Sequence, residues 1–290
     1  MLLRTVATAR AQTPPPAQLI ISVDHNQTLA KRLRSLLDGI EIVDHRGERG
    51  ASGARNAGAA LATSPLLAFL DDDVVVHSGW LAQLTAPFSD PMVVGTGGQT
   101  LPAWETARPQ WFPDEFGWVV GVTNGRPPAN ARVRNVWSEN MALRREAFEA
   151  VGGFRAGFGK VGSTSRPEDT DLCIRVGAAA PRSHWVYVPG AMIEHVVPVG
   201  RSTLRFFLRR CYSEGAGKIE LAAALGVVSD LADERRYLLL TVPLALLRNL
   251  AMGRFSRAAA ILAGIASAAL GGTIAIVRGG RLELRRPTAA

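Results

Sequence analysis

The sequence predicts an α/β fold, a mostly parallel sheet flanked by helices, with a hydrophobic helical extension at its C-terminal end. Three observations carry this expectation. Short apolar runs alternate with helix-like segments between residues 18 and 70. Carboxylates close two of those runs, Asp24 after the first and the triplet Asp71, Asp72 and Asp73 after the last, and strand ends are where open α/β sheets gather ligands. From Arg201 onward the chain then changes character, with 14 Lys/Arg against 6 Asp/Glu beside its longest apolar runs. That is the whole net charge of +8, since the earlier residues balance at 19 of each sign. The expected division is therefore an α/β domain over 1–200 and a basic, amphipathic and apolar helical region over 201–290.

The elements follow in order. "QLIISV" (18–23) reads as a buried strand, "LAKRLRSLL" (29–37) as a helix and "IEIV" (40–43) as a second strand. A glycine-rich loop leads into the helix "ARNAGAALAT" (54–63), and "PLLAFL" (65–70) is the next strand. From 93 to 137, Gly, Pro and Trp predict strands with long loops. "ENMALRREAFEAVGGF" (139–154) runs from strand to helix to a glycine stop. "RPEDTDLCIRV" (166–176) opens a helix with a proline and acids, a favourable N-terminus. "HWVYVPGAMIEHVV" (184–197) predicts two strands about a Pro-Gly turn. The segment 202–225 is an amphipathic helix. "YLLLTVPLALL" (237–247) is too short to span a bilayer unaided, whereas "AAAILAGIASAALGGTIAIV" (258–277) reaches spanning length without a charge. Arginines flank both, so the alternatives are a membrane-embedded hairpin and interfacial or buried helices.

Bulk properties narrow the class. Apolar residues make up 47% and charged residues 20% of the 290, which excludes a disordered chain. Two cysteines give neither a metal spacing nor a disulfide framework and suit a reducing cytosol. Arg4 and Arg10 interrupt the first residues, so no signal peptide is read. The basic last third lacks nucleic-acid motifs and is poor in aromatics, which points to an anionic membrane surface and not to nucleic acid.

Adjacent carboxylates repel and lose solvation when buried, so "LAFLDDDVVV" (67–76) needs a reason. A solvated turn is one; a hard divalent cation such as Mg²⁺ or Mn²⁺, held through oxygen, is the better fit after a buried strand. The second acidic cluster, Glu168, Asp169 and Asp171, could simply serve a helix N-terminus. Together the two clusters suggest shared chemistry, one holding metal and diphosphate and the other supplying a general base.

These residues also carry a resemblance. "GASGARNAGAALATSPLLAFLDDDVVVHSGWL", followed by "ENMALRREAFEAVGGF" and "EDTDLCIRV", resembles in order the signature of family-2 glycosyltransferases, nucleotide-sugar enzymes of the GT-A fold, over residues 1–215. The resemblance implies Asp71 at the nucleotide ribose or metal, Asp73 at metal and diphosphate, and Asp24 and Arg55 at the nucleotide, with Asp72 beside them. It implies His195 as a further metal or diphosphate contact and Asp169 as the base that deprotonates an acceptor hydroxyl. Asp171 is the rival for that role, and Glu168 lies in the same cluster. The implied reaction moves a sugar from a nucleotide-diphosphate donor to a glycan or lipid-linked acceptor, with inversion and Mn²⁺ or Mg²⁺, at the cytoplasmic face of the membrane. Trp104, Trp111 and Trp118 are candidate sugar or lipid platforms, with ordinary packing as the alternative.

Two other readings compete. "AFLDDDVVV" also fits a haloacid-dehalogenase-like phosphatase, with Asp71 as nucleophile and Asp73 as acid/base. A catalytically impaired nucleotide-sugar-binding homologue at the membrane is the other. It is motivated by the first residues, where "LLRTVATARAQ" has the spacing of a helix in place of the strand that resemblance leads one to expect. A helix packed on the sheet and a vacant slot beside Leu19–Val23 are the corresponding expectations.

Overall fold

A computed structural model describes residues 1–123, 129–161, 164–225 and 232–283. The chain forms two compact units. The first comprises Met1–Ala103, Arg126–Thr164 and Glu168–Val196, and the second Trp104–Gly125, Ser165–Pro167 and Val197–Ala290. The second unit thus takes in 104–125 as well as the C-terminal third, because Phe112 and Phe116 share a core with Phe207, Val242 and Ile261.

The first unit opens with helix α1 (Leu2–Arg10), then alternates β1 (Ile20–Asp24), α2 (Gln27–Leu36), β2 (Glu41–His45), α3 (Ala51–Ala59) and β3 (Leu66–Leu70). Asn26 caps α2, its side-chain oxygen accepting from the Leu29 N–H at 3.0 Å. β1 and β2 pair in parallel, with Ile20 opposite Glu41 and Asp24 opposite His45. The larger sheet adds β4 (Val74–Val76), β5 (Val93–Trp104), β6 (Arg132–Val133), β7 (Asn140–Arg144) and β10 (His184–Val197). Its order is β3-β7-β5-β10-β4, with β6 also paired to β10.

Two expectations change here. Parallel pairing holds for β1–β2, but β3–β7, β5–β7, β10–β4 and β10–β6 are all antiparallel. The strands are therefore of mixed direction, the parallel pair forming a two-stranded sheet of its own. Strand-helix alternation fixes direction only for strands joined by one crossover, and β3 neighbours a strand some seventy residues later. Second, 184–197 is one continuous strand. Along one edge it pairs with β6 at Trp185–Val186 and with β4 at Ile193–His195. Pro189 and Gly190 fall between those two partners, where that missing N–H interrupts neither ladder.

Helix α1 lies against β4 at the end of the sheet. The Thr5 hydroxyl donates to the Val74 carbonyl at 2.7 Å, the Val76 N–H donates to Thr8 Oγ1 at 3.2 Å, and Gln12 Nε2 donates to the His77 carbonyl at 3.0 Å. One face of a helix thereby meets the backbone groups that a strand would have met. Among the described residues β1 pairs with β2 alone. At its start Gln18 reaches across to the Leu61 carbonyl and the Thr63 N–H.

Apolar clusters cover the larger sheet: Val74, Trp80, Leu84, Val188 and Ile193 form one, and Leu67, Met141, Phe148, Phe154, Leu172 and Trp185 the other. After β7, helix α5 (Arg145–Ala150) stops at Gly152 and Gly153, both left-handed at φ 72° and 71°. Two short strands, β8 (Gly159–Val161) and β9 (Thr164–Arg166), lead to α6 (Glu168–Ala179).

The second unit is helical: α7 (Leu204–Leu225), α8 (Ala232–Arg236), α9 (Val242–Ala251) and α10 (Phe255–Glu283). A π-helical stretch, Tyr237–Thr241, precedes Pro243, whose missing N–H frees a carbonyl of the preceding turn. Trp104, Trp111 and Trp118 pack into its aromatic core; Trp104 meets Phe112 at 5.5 Å and Trp111 meets Phe207 at 5.5 Å. The stretch Phe255–Arg278, 24 residues, is long and apolar enough to cross a membrane.

Candidate active site

The aspartate triplet sits between β3 and β4, and each carboxylate meets a different environment. Asp71 Oδ1 accepts from Arg55 Nη2 at 2.7 Å. Asp73 Oδ2 lies 3.4 Å from His195 Nε2. The register sets that contact, because His195 stands opposite Val74 and the Val196 N–H donates to the Asp73 carbonyl at 3.2 Å. Asp72 points outward; loss of surrounding water and the charges of Asp73 and Asp71 raise its carboxyl above the ordinary range.

Arg55 joins the two acidic clusters. Its other amino group, Nη1, donates to Glu168 Oε1 at 3.0 Å, and the guanidinium stacks 5.5 Å from the centre of the Phe154 ring. Burial works against the charged guanidinium, but Asp71 and Glu168 outweigh it and hold Arg55 more firmly protonated than a free arginine. Helix α3 aims it. Small residues let that helix lie close on its neighbours, as where Gly58 meets Ser22 and Ile20 of β1. The next residue, Asn56, clamps the turn after α5, donating to the Phe154 carbonyl at 2.8 Å and accepting from its N–H at 2.9 Å. Ser52 donates to the Phe158 carbonyl at 2.7 Å.

The first turn of α6 separates the three acids of the second cluster. Asp171 is fully buried, with Arg155 Nε 2.8 Å from Oδ1 and Arg175 Nε 2.8 Å from Oδ2. Arg175 also donates to the Val151 and Gly153 carbonyls at 2.7 Å. Asp171 is thus committed to holding the glycine turn. Asp169 is half-buried on the other side and accepts from the Thr170 N–H at 2.7 Å. Glu168 is raised by burial first and by the Asp169 charge second, against the pull of Arg55. The acids open a helix one residue after the short polar strand β9, whereas a phosphatase of that class calls for a second acidic pair at the end of an apolar strand.

Asp24 closes β1 beside the start of α3. Burial pushes its carboxyl up, but the His25 ring at 2.7 Å and the Gly50 N–H at 3.0 Å prevail and hold it low. Gly50 starts α3 at φ 120°, a conformation that a side chain would strain. His25 and His45 lie edge to face at 5.8 Å beside it.

Two further residues come to light only in the structure. Glu139 lies in the turn that closes on Asn140, just before β7, and its charge neighbours include His195, Asp71 and Asp169. Its carboxyl is pushed up to about 8, by burial first, eased by His195 and a hydrogen bond with Thr100, and raised again by Asp71 and Asp169. Asn140, 1% exposed, accepts from Trp80 Nε1 at 2.8 Å and donates to the Gln99 and Ala191 carbonyls at 3.1 and 2.9 Å. It ties β5, β7, β10 and α4 (Trp80–Thr85) together, which accounts for the tryptophan after the triplet. The dipeptide "EN" in the strand motif was the available signal for Glu139 and Asn140. His25 and His45 gave none beyond their nearness to Asp24.

Among the described residues no three His, Cys, Asp or Glu side chains converge as a ready-made cation set. Asp73 and His195 offer two ligands, and the surroundings are rich in carboxylate. That suits a cation that takes its remaining ligands from phosphate and water, the usual arrangement for Mg²⁺-type sites.

Comparison with known proteins bears on the family and the fold. The profile of Glycosyl transferase family 2 matches residues 1–152. The glucosyl-dolichyl phosphate glucuronosyltransferase of Haloferax volcanii is 29% identical over 240 residues, covering 81% of this chain and 76% of that one. Among solved structures, the mannosyltransferase PcManGT of Pyrobaculum calidifontis, in complex with GDP-Man and Mn²⁺, superposes with a TM-score of 0.54 at 18% identity, over 99% of this chain and 77% of that one. GalNAc-T7 with UDP, GalNAc and Mn²⁺ gives 0.52 at 19%, over 81% of this chain but only 51% of that one. These likenesses establish a GT-A fold.

Proposed function

Because the chain belongs to Glycosyl transferase family 2, we propose that it moves a sugar from a nucleotide-diphosphate donor to an acceptor hydroxyl with inversion at the anomeric carbon. The observation that carries this reading is the Arg55 bridge, which draws Asp71 at the end of β3 and Glu168 at the start of α6 into one site. In this reading Asp24, Arg55 and Asp71 hold the nucleotide, with Asp72 at the rim. Asp73 and His195 hold Mn²⁺ or Mg²⁺. When bound, the cation would supply charge stabilisation for the diphosphate as leaving group. Asp169 takes the acceptor proton as the hydroxyl attacks, and no covalent sugar–enzyme intermediate is required. Glu168 orients the base through its ion pair with Arg55.

The acceptor is lipid-linked, attacked at the cytoplasmic face of a membrane. Support comes from the dolichyl phosphate in the name of the Haloferax relative, the excess positive charge after Arg201 and the apolar helix α10. The test is a nucleotide-sugar turnover screen on the full-length protein with Mn²⁺, Mg²⁺ or chelator. Asp73→Ala should abolish metal-dependent nucleotide binding and keep the fold. Nucleotide affinity in the wild type that is the same with and without chelator would refute the metal assignment.

A further inference from the structure

The second unit leaves a large apolar surface unpartnered. Leu239, Leu244 and Leu247 of the π-helical stretch and α9 are 64–68% exposed, and Phe255, 67% exposed, starts α10 beside them. The row continues along α10 through Leu262, Leu270 and Ile276, at helical spacing and on one face. A contiguous apolar face of this size marks an interaction site on a soluble surface. Arginines border it. Arg235, Arg236, Arg254 and Arg278 are exposed and form no ion pair among the described residues, whereas Arg257 is anchored to Gln110 and Asp114.

The opposite face of α10 is packed on α7. Phe207 lies against Gly264, the Leu208 carbonyl accepts from Ser267 Oγ at 2.8 Å, and Ile219 lies against Gly272. A methyl at Gly215 would sit 1.9 Å from the Ala268 carbonyl oxygen, and one at Gly271 2.0 Å from that of Tyr212. The two helices therefore run in the same direction, backbone on backbone, through the middle of α10. At that level α7 carries Arg209, Arg210, Glu214 and Lys218, with Lys218 paired to Glu214 at 3.5 Å and to Glu234 at 2.9 Å. If α10 crossed a bilayer, these charges would lie deep in hydrocarbon beside it, where ionised side chains are strongly disfavoured.

We infer that α9 and α10 lie in the plane of an anionic membrane, with the Leu239–Leu244–Leu247 and Phe255–Leu262–Leu270 rows immersed in one leaflet and α10 not spanning it. The long apolar helix is a docking surface for lipid, with arginines placed for the headgroups. This deepens the membrane association proposed above and can fail separately from it.

Two measurements on the full-length protein test the inference. In flotation, the wild type should bind vesicles of phosphatidylcholine with one third phosphatidylglycerol, and Leu244→Gln with Leu247→Gln should weaken partitioning by about 100-fold with circular dichroism unchanged. Equal binding by the double variant would overturn the inference, because the leucine row would then not be the contact. For sidedness, Ser35→Cys and Arg278→Cys serve as reporters for a membrane-impermeant maleimide, since the native Cys173 and Cys211 are buried. Both reporters should react from the same side of sealed vesicles. Protection of Arg278→Cys until detergent is added would overturn the in-plane placement while leaving membrane association standing. Failure of the wild type to float would overturn both, and turnover measured in detergent would still report on the transferase reading.

Discussion

The pair Asp169 and Asp171 gives the sharpest test, because one helix turn assigns them opposite work. Asp171→Asn keeps the shape of the side chain and removes its charge. In the wild type that carboxylate is wholly buried and receives Arg155 and Arg175, each at 2.8 Å, whose side chains are 35% and 18% exposed. An asparagine can accept from one guanidinium, but its amide NH₂ must then face the other, donor against donor. Removing one partner of a buried ion pair costs about 3–5 kcal/mol. Partial solvation of the two arginines places this case near the low end, about 3 kcal/mol. For a chain of this size that corresponds to a fall in melting temperature of roughly 6–12 °C.

Asp169→Asn should do the reverse. Its carboxylate is half-buried, and the hydrogen bond it accepts from the Thr170 N–H can be accepted equally by an amide oxygen, so stability should change by less than about 1 kcal/mol. Turnover should fall by about 100-fold or more with donor binding retained. The assay pairs urea and thermal unfolding with nucleotide-sugar turnover, the latter measured well below the melting temperature of the weaker variant. Wild-type stability together with lost turnover in Asp171→Asn, alongside an active Asp169→Asn, would refute the reasoning and exchange the two roles.

Three other perturbations have defined outcomes. Glu139, held up to about 8 against an ordinary value of 4.5, keeps a proton in the folded chain that the unfolded chain releases, so its contribution to stability falls as pH rises between those values. Glu139→Gln should remove that slope and gain stability relative to wild type at pH 8, by up to about 5 kcal/mol and less where the site relaxes; parallel pH profiles of the urea midpoint would contradict this. Arg55→Lys should lower kcat/KM by about tenfold or more, because one ammonium cannot span Asp71 and Glu168 as the guanidinium does; unchanged kinetics would remove Arg55 from the site. Gly271→Val should force α10 away from the Tyr212 backbone at a cost of about 1–3 kcal/mol, read as earlier thermal unfolding, and a wild-type melting curve would show that the two helices are not in close contact.

What was legible in the sequence was what local pattern encodes. Strands β1, β2 and β3 and helices α2, α3 and α6 follow from periodicity and from acids at a helix start. The glycine stop at Gly152 and Gly153 was legible too, because left-handed backbone selects glycine. Strand direction in the larger sheet was not, since neighbours such as β3 and β7 are brought together by packing and not by a single crossover. Pro189-Gly190 read as a turn because its tolerance depends on which strands flank it, a fact of tertiary structure. The triplet announced itself through local charge. Glu139 gave a weaker signal, the "EN" that opens its strand motif, and its place among the other acids is a fact of tertiary structure.

The same contrast explains how three adjacent aspartates persist after a buried strand. Each is given a different neighbour by a distant segment: Arg55 from α3 for Asp71, His195 from β10 for Asp73, and the surface for Asp72. Those two basic groups do not balance the site, for Glu139, Glu168 and Asp169 add three more carboxyls to the same region. Three of the six, Asp72, Glu139 and Glu168, respond by rising toward the protonated form, each driven first by burial. A site with excess carboxylate and raised acids is poised for positive charge to enter. On the reading proposed above, a dication held by Asp73 and His195 would supply that positive charge locally when the donor binds. On this view the repulsion within "DDD" is kept because it is relieved on substrate binding, and the fixed pairs to Arg55 and His195 are what the folded chain needs to hold the cluster in the meantime.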